Sequence, residues 1–365
     1  MTLHVIRFCT GAIFMAVAVG LLAACSLRSS ISSPSSVLPV VAEGQSRLSN
    51  GRFVPEWSAF ATVVPPEQRP LGGTMPFEFV PDAPASTTGG IYGSEFYGTD
   101  IWGFRANNSH NGKAICAVKN VSGANGIAVD GKGNLIDPDG GTHTIIVFKG
   151  PKMCGSQIGS VSDPYGQPAD AASANAATGM IVVANIFDNN RKAGSVVRCT
   201  LSGGCKAHLK NPDMYEVAGV ALAKNGDCWA SATNSHGTPT LTYFKSCSGS
   251  GKKASGYANA YYGGLDIDVH GNLVSLSYSD KKLYVYKGCN PACTLVGGPF
   301  AIRGEATFGH LNATSTKLVT GDYQYGEIDV YNYAPTKLKF AYRFNKGFSP
   351  SELVEGAAYD PRSSE

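Results

Sequence analysis

Six repeated units of short β-strands in one all-β domain are what this sequence predicts, on three observations. The 365 residues include 44 glycines and 20 prolines against only 16% charged residues, a composition rich in turns and poor in solvated helix surface. A phrase of the form Gly-Ile-Ala-Val-Asp, followed by a Gly-Asn-Leu turn, recurs along the last two thirds of the chain. Each clear copy is followed by an apolar strand that ends in an aromatic residue. Short strands and tight glycine turns at a period of about 45 residues signal a β-propeller with four strands per blade. A helical solenoid of that period would need long amphipathic helices, and none is visible.

Composition narrows the function. Lys and Arg total 30 against 27 for Asp and Glu, and no block of like charge occurs, so a nucleic-acid partner held by bulk charge is not expected. A hydrophobic content of 43% supports a real core.

Taken in order, the chain opens with a segment that reads as an address. Arg7 is followed by an apolar run from Phe8 to Ala24, the n-region and h-region of a secretory signal and marginal as a spanning helix. Its end, Leu22-Ala23-Ala24-Cys25, resembles the lipobox of bacterial lipoproteins. That resemblance implies removal of residues 1–24, acylation of Cys25 and a lipid-anchored protein of the cell envelope. Ser26 after the cysteine favours the outer membrane, facing periplasm or cell surface. A plain cleaved signal is the alternative. Multiple acyl chains anchor stably, because each buried methylene adds about 0.8 kcal/mol.

Residues 25–50 are serine-rich and read as a flexible tether. Residues 51–89 carry Pro55, Pro65, Pro66, Pro70, Pro76, Pro81 and Pro84 among apolar groups. These prolines forbid a helix and favour an extended strap.

The repeat occupies 90–362. Gly126-Ile127-Ala128-Val129-Asp130 leads into Gly133-Asn134-Leu135, with echoes from Gly219 to Gly226 and from Gly264 to Gly271. Looser copies run through Ala171 to Gly179 and Gly309 to Leu318. The aromatic-ended strands are Ile145–Phe148, Leu241–Phe244, Leu283–Tyr286 and Ile328–Tyr331. The segment from Glu355 to Pro361 restarts the repeat after the fifth unit, while the segment from Gly90 begins in mid-repeat. Pairing the two makes a sixth blade and closes the ring, removing the open sheet edge that a large β protein must protect.

An even number of cysteines beyond Cys25 in an exported chain reads as disulfides. Cys199 with Cys205 and Cys289 with Cys293 are close enough to staple single blades, and proximity suggests Cys228 with Cys247 and Cys116 with Cys154. Zinc is not expected, since no paired C-x-x-C motif exists and the histidines are scattered.

The phrase at 126–135 and its echoes near 219 and 264 resemble the NHL repeat and related six-bladed propellers of the streptogramin-lyase and gluconolactonase types. Gluconolactonases bind a divalent cation, Ca2+ or Mg2+, at the channel mouth, and the resemblance makes Glu355 and Asn125 the candidate ligands. Asp170 stands one residue out of register and His310 lies on an inner strand. Two protein ligands make a poor site for a hard cation, which takes about six oxygens. The lyases use a histidine with a cation, but no motif residue of theirs can be matched here.

Loops between second and third strands carry Glu95 and Tyr97, Asp137 and Asp139, Asn185 and Asp188, Asn234 and His236, Tyr278 and Asp280, and Asp322 and Tyr323. Around one mouth these make an acidic and aromatic rim suited to sugars, peptides or cationic small molecules. Turn chemistry alone also places such residues in loops. No nucleophile elbow, phosphate loop or H-E-x-x-H motif is present. The expectation is a monomeric, membrane-tethered module that binds a protein or small molecule, with a cation-dependent lactonase or lyase as the alternative.

Overall fold

The computed structural model describes residues 47–49, 52–54 and 90–360, apart from 97, 108–111, 151, 174–178, 259–262, 279 and 349–352. Cys25, Tyr97, most of the expected tether and strap, and the whole expected signal lie outside these residues. A short hairpin pairs β1 (Arg47–Ser49) with β2 (Arg52–Val54).

From Gly90 onward the chain forms six four-stranded antiparallel sheets. Blade 1 comprises β3 (Gly90–Glu95), β4 (Asp100–Arg105) and β5 (Cys116–Lys119); blade 2 comprises β6 (Ala128–Val129), β7 (Leu135–Asp139), β8 (Thr144–Phe148) and β9 (Gln157–Ser162). Blade 3 runs through β10 (Gly166–Ala172), β11 (Ile181–Asp188), β12 (Ser195–Thr200) and β13 (Gly204–Leu209), and blade 4 through β14 (Glu216–Leu222), β15 (Cys228–Thr233), β16 (Pro239–Phe244) and β17 (Lys252–Lys253). Blade 5 holds β18 (Leu265–Ile267), β19 (Leu273–Ser277), β20 (Lys282–Lys287) and β21 (Thr294–Ala301); blade 6 holds β22 (Ala306–Leu311), β23 (Lys317–Asp322), β24 (Glu327–Ala334) and β25 (Lys337–Phe344). Finally β26 (Val354–Tyr359) pairs with β3 and supplies the inner strand of blade 1. The expected closure between chain ends is therefore the observed one.

The recurring phrase has a local physical cause. In blade 2 the Asp130 carboxylate accepts the backbone N–H groups of Lys132 and Asn134, while Gly133 takes a φ of +83°. Asp268 does the same for His270 and Asn272, with Gly271 at +77°. The side chain thus builds the turn and glycine supplies its left-handed residue. In blade 6 Asn312 replaces the aspartate, accepting from Thr316 and Lys317. Asn312 is only 2% exposed, held in the turn by these bonds.

Alternate strand residues pack between adjacent blades, as the two faces of a strand require. Val274, Leu276, Leu283 and Val285 of blade 5 meet Leu311, Leu318, Tyr331 and Tyr333 of blade 6. Ile136, Ile145 and Val147 of blade 2 meet Ile181, Val183 and Val197 of blade 3. The aromatic ends of the third strands, Phe244, Tyr286 and Tyr331, are among the largest fully buried side chains.

All four proximity pairings form: Cys116–Cys154, Cys199–Cys205, Cys228–Cys247 and Cys289–Cys293. Two other devices stitch inner strands together. Ser94 Oγ accepts the Gly356 N–H at 3.1 Å and donates to the Asn125 carbonyl at 2.5 Å. Ser231 Oγ accepts the Gly219 N–H at 3.0 Å and donates to the Gly263 carbonyl at 2.5 Å.

Candidate functional site at the channel mouth

The inner strands do not run straight into the channel. Register slips from Val354↔Glu95 to Gly356↔Ser94, leaving Glu355 as an extra residue in β26. Ala218 in β14 and Ala169 in β10 stand in equivalent bulges, and in β22 the irregularity spans Thr307 and Phe308. A bulge re-aims the side chain of its extra residue. The out-of-register Asp170 is the residue just after the bulge in its blade.

Four candidate side chains lie on these inner strands or at their entrances, and each keeps an unpartnered buried atom. Glu355 is 0% exposed and neither carboxylate oxygen has a partner. Burial first, then the charge of Asp170, pushes its pKa well above the ordinary value. Asp170 accepts the Val220 N–H at 3.0 Å through Oδ2, while Oδ1 is unpartnered. Burial raises its pKa to about 7 against the opposing pull of His310. Asn125 points Nδ2 at the Pro168 carbonyl, 3.5 Å away, and leaves Oδ1 free. His310 Nδ1 lies 3.5 Å from Asp266 Oδ2, its Nε2 is unpartnered, and its side chain is 13% exposed. Burial alone would lower its pKa, but the bond to and charge of Asp266, together with the charge of Asp170 and a backbone bond at Ile127, make the net shift upward.

Glycine is required where these groups meet the facing strand. A Cβ on Gly126 would stand 2.3 Å from Asp170 Oδ1 and 2.9 Å from Phe308 Cγ. Phe308, 1% exposed, packs with Ala169, Ala218, Ile186 and Phe187, joined by half-buried Phe96 and Tyr215. An apolar layer therefore occupies the mouth beside the polar group.

The expected acidic rim is largely drawn inward. Glu95, Asp137, Asp139, Asn185 and Asp322 are each at most 3% exposed. Asp139 accepts the N–H groups of Ser122 and Thr142, and Asn185 donates to Asp163 at 2.9 Å. Asp137 has no partner at either oxygen, and burial, then Asp139, raises its pKa well above normal. Asp188 is 2.7 Å from Lys210, Asn234 accepts the His236 and Thr238 N–H groups, and Asp280 accepts the Tyr284 hydroxyl at 2.6 Å. His236 itself is exposed.

Among the half-buried residues of the described loops are several aromatics. Tyr323 meets Phe96 edge-on at 6.2 Å and Tyr278 at 6.3 Å; Phe187 meets Tyr215 at 6.0 Å. The Tyr278 hydroxyl donates to Glu305 at 3.1 Å.

Among the described residues, one set of three carboxylate, imidazole or thiolate groups places a ligand atom of each within 4.8 Å of the others: Asp322, Glu327 and Asp329. Glu355, Asp170 and His310 do not form such a set. Burial raises Asp322 to about 6; burial, then Asp322 and Glu327, raises Asp329 to about 7. Only Asp322 was expected as a functional residue. The signal for the others is the strand Glu327-Ile328-Asp329-Val330, whose alternation puts two acids on a face that must be covered.

These features define the class as a six-bladed β-propeller. A chain of the nidogen/laminin complex matches it with a TM-score of 0.56 at 12% identity, over 74% of this chain and 98% of that one. A protein of unknown function from Bacteroides caccae matches at 0.53 and 9% identity, again over 74% and 98%. A gluconolactonase of Xanthomonas campestris matches at 0.49 and 15% identity, over 69% and 82%. Identities this low show the fold alone. No family model and no curated protein matches the chain.

Proposed function

We propose that this chain is a lipid-tethered envelope module that binds a partner on the channel-mouth face of its propeller, without catalysing a reaction there. The observation that carries the reading is the half-buried aromatic collar of Phe96, Tyr278, Tyr323 and Tyr215 beside Phe308. Rigid aromatic rings present large contact area at small entropic cost. The acids Glu355 and Asp170 are buried, at 0% and 1% exposure. The test is a glycan and peptide array read with wild type, a Phe96→Ala/Tyr323→Ala double variant and His270→Ala at the far end of the inner strands. A hit abolished by the double variant and kept by His270→Ala supports the collar; hits indifferent to the collar sink it. Mass spectrometry of membrane-extracted protein checks the tether: acyl groups on Cys25 are expected, and a bare mature N-terminus ends that part.

The second reading is a cation-dependent lactonase or lyase using Glu355 and Asn125. It is favoured by the two unpartnered Glu355 oxygens with Asp170 Oδ1 and Asn125 Oδ1, hard donors that suit calcium or magnesium. That Glu355, Asp170 and His310 do not bring their ligand atoms together counts against it. A saturable rise in melting temperature with either cation, lost in Glu355→Gln, would move this reading ahead.

A further inference from the structure

Three acids and a hydroxyl share one face of the β23–β24 hairpin, next to blade 5. Asp322 stands opposite Glu327 and Thr320 opposite Asp329 in unbroken register. Opposed residues and those two apart on one strand point to the same side, so all four side chains face together. Thr320, Asp322 and Asp329 are 0% exposed and Glu327 is 3%.

Neighbouring groups account for part of this set. Arg303 pairs with Glu327 and lies 3.4 Å from Asp329 Oδ1, Arg343 lies 3.3 Å from Glu327, and the Tyr331 hydroxyl donates to Asp329 Oδ2 at 3.2 Å. Asp322 Oδ1 accepts the N–H groups of Glu305, Gln324 and Tyr325. Asp322 Oδ2 and Thr320 Oγ1 have no partner. The hydroxyl is an observation independent of the acids: it sits directly across from a carboxylate and bonds neither to it nor to anything else described. Leaving a buried hydroxyl unmatched costs about 1–3 kcal/mol.

The backbone is shaped to this carboxylate as well. Gly304 adopts φ +61°, and a Cβ there would lie 2.0 Å from both Asp322 oxygens. Arg303, a third exposed, lies over the Tyr325 ring at 4.8 Å, so the guanidinium stands on the solvent side of the buried acids.

We propose that this face binds a hard divalent cation of the calcium class, with carboxylate ligands from Asp322, Glu327 and Asp329 and a neutral oxygen from Thr320. The donors are oxygens alone, which select calcium or magnesium over metals that prefer imidazole or thiolate. Three carboxylates face two guanidinium groups, so the acids outnumber their basic partners and the face keeps an excess negative charge that favours a cation.

Terbium luminescence sensitised by tyrosine tests the site on the folded chain, since Tyr331 bonds to a proposed ligand. A saturable signal displaced by calcium is expected in the wild type. Asp322→Asn and Asp329→Asn should each weaken binding roughly tenfold or more, the scale on which ligand charge tunes such sites. Thr320→Val should weaken it less, and Glu355→Gln should leave it unchanged. Melting in EDTA shows that the variants fold; if Asp322→Asn does not, Glu327→Gln and Thr320→Val carry the test. Absence of a saturable signal, or a signal unmoved by the hairpin variants, overturns the proposal. A signal abolished by Glu355→Gln alone also overturns it and assigns the ion to the channel.

Discussion

Ser94 and Ser231 hold the same station three blades apart, each bonding the N–H of an inner-strand glycine and the carbonyl that opens the next inner strand. The two hydroxyls act at Gly356 and Asn125 in one case and at Gly219 and Gly263 in the other. Both glycines lack room for a side chain: a Cβ on Gly356 would meet the Asn125 carbonyl at 2.2 Å, and one on Gly219 the Gly263 carbonyl at 2.2 Å. Close approach of adjacent inner strands is thus tied directly to a serine on the second strand.

Ser94→Ala and Ser231→Ala should each lower unfolding stability by about 1–3 kcal/mol, since each strands a buried donor and acceptor. They share no partner, so the double variant should show the sum. Urea titration measures both. A combined effect near zero would mean that the strands hold without these bonds.

Ring closure can be tested at its last strand. Removing residues 354–365 deletes β26 and leaves β3 with an unpaired edge. The truncated chain should unfold or associate, as circular dichroism and size exclusion would report. A monomer melting like the full chain would show that the pairing of chain ends is dispensable.

Asp137 gives a pH prediction with a defined sign. Its folded pKa is raised by burial and by Asp139, so the folded state holds its proton more tightly than the unfolded chain. That contribution is complete below the ordinary value near 3.8 and is lost as pH rises through the raised folded value, at about 1.4 kcal/mol per pKa unit. Asp137→Asn should flatten the decline in stability with pH over that window. Parallel curves for the variant and wild type would contradict the assignment.

The disulfides should not be equivalent. Cys116–Cys154 spans 38 residues and joins blade 1 to the segment after β8, whereas Cys199–Cys205 spans 6. Loop entropy assigns about 4 kcal/mol to the first and about 2 kcal/mol to the second. Replacing each pair by alanine and measuring chemical denaturation should reproduce that order. Non-reducing peptide maps should find no free thiol among these eight cysteines.

Much of the architecture was legible because its causes are local. Asp130 and Gly133 make a turn through their own side chain and φ, and the same pair at Asp268 and Gly271 repeats the signal at a readable period. The disulfides joined near neighbours. The site was less legible because it depends on register. Whether position 169, 170 or 171 faces the channel turns on a bulge between Pro168 and Asp170, and nothing in the local sequence marks it. Rim residues such as Asp139 and Asn185 have loop chemistry in sequence, yet they spend it on backbone and side-chain bonds beneath the surface. Glu327 and Asp329 are hidden in the sequence because Ile328 and Val330 alternate with them and give the segment the pattern of an ordinary core strand.

The shared blade also sets an order of assembly. Blades 2 to 6 are each contiguous in sequence, so each can pair its four strands as soon as they are synthesised. Blade 1 waits: β3 is among the first propeller strands made and its partner β26 is the last. During all the intervening synthesis the growing chain carries an unsatisfied leading edge. The ring therefore closes only when β26 reaches β3, and a chain that lacks β26 keeps that edge unpaired.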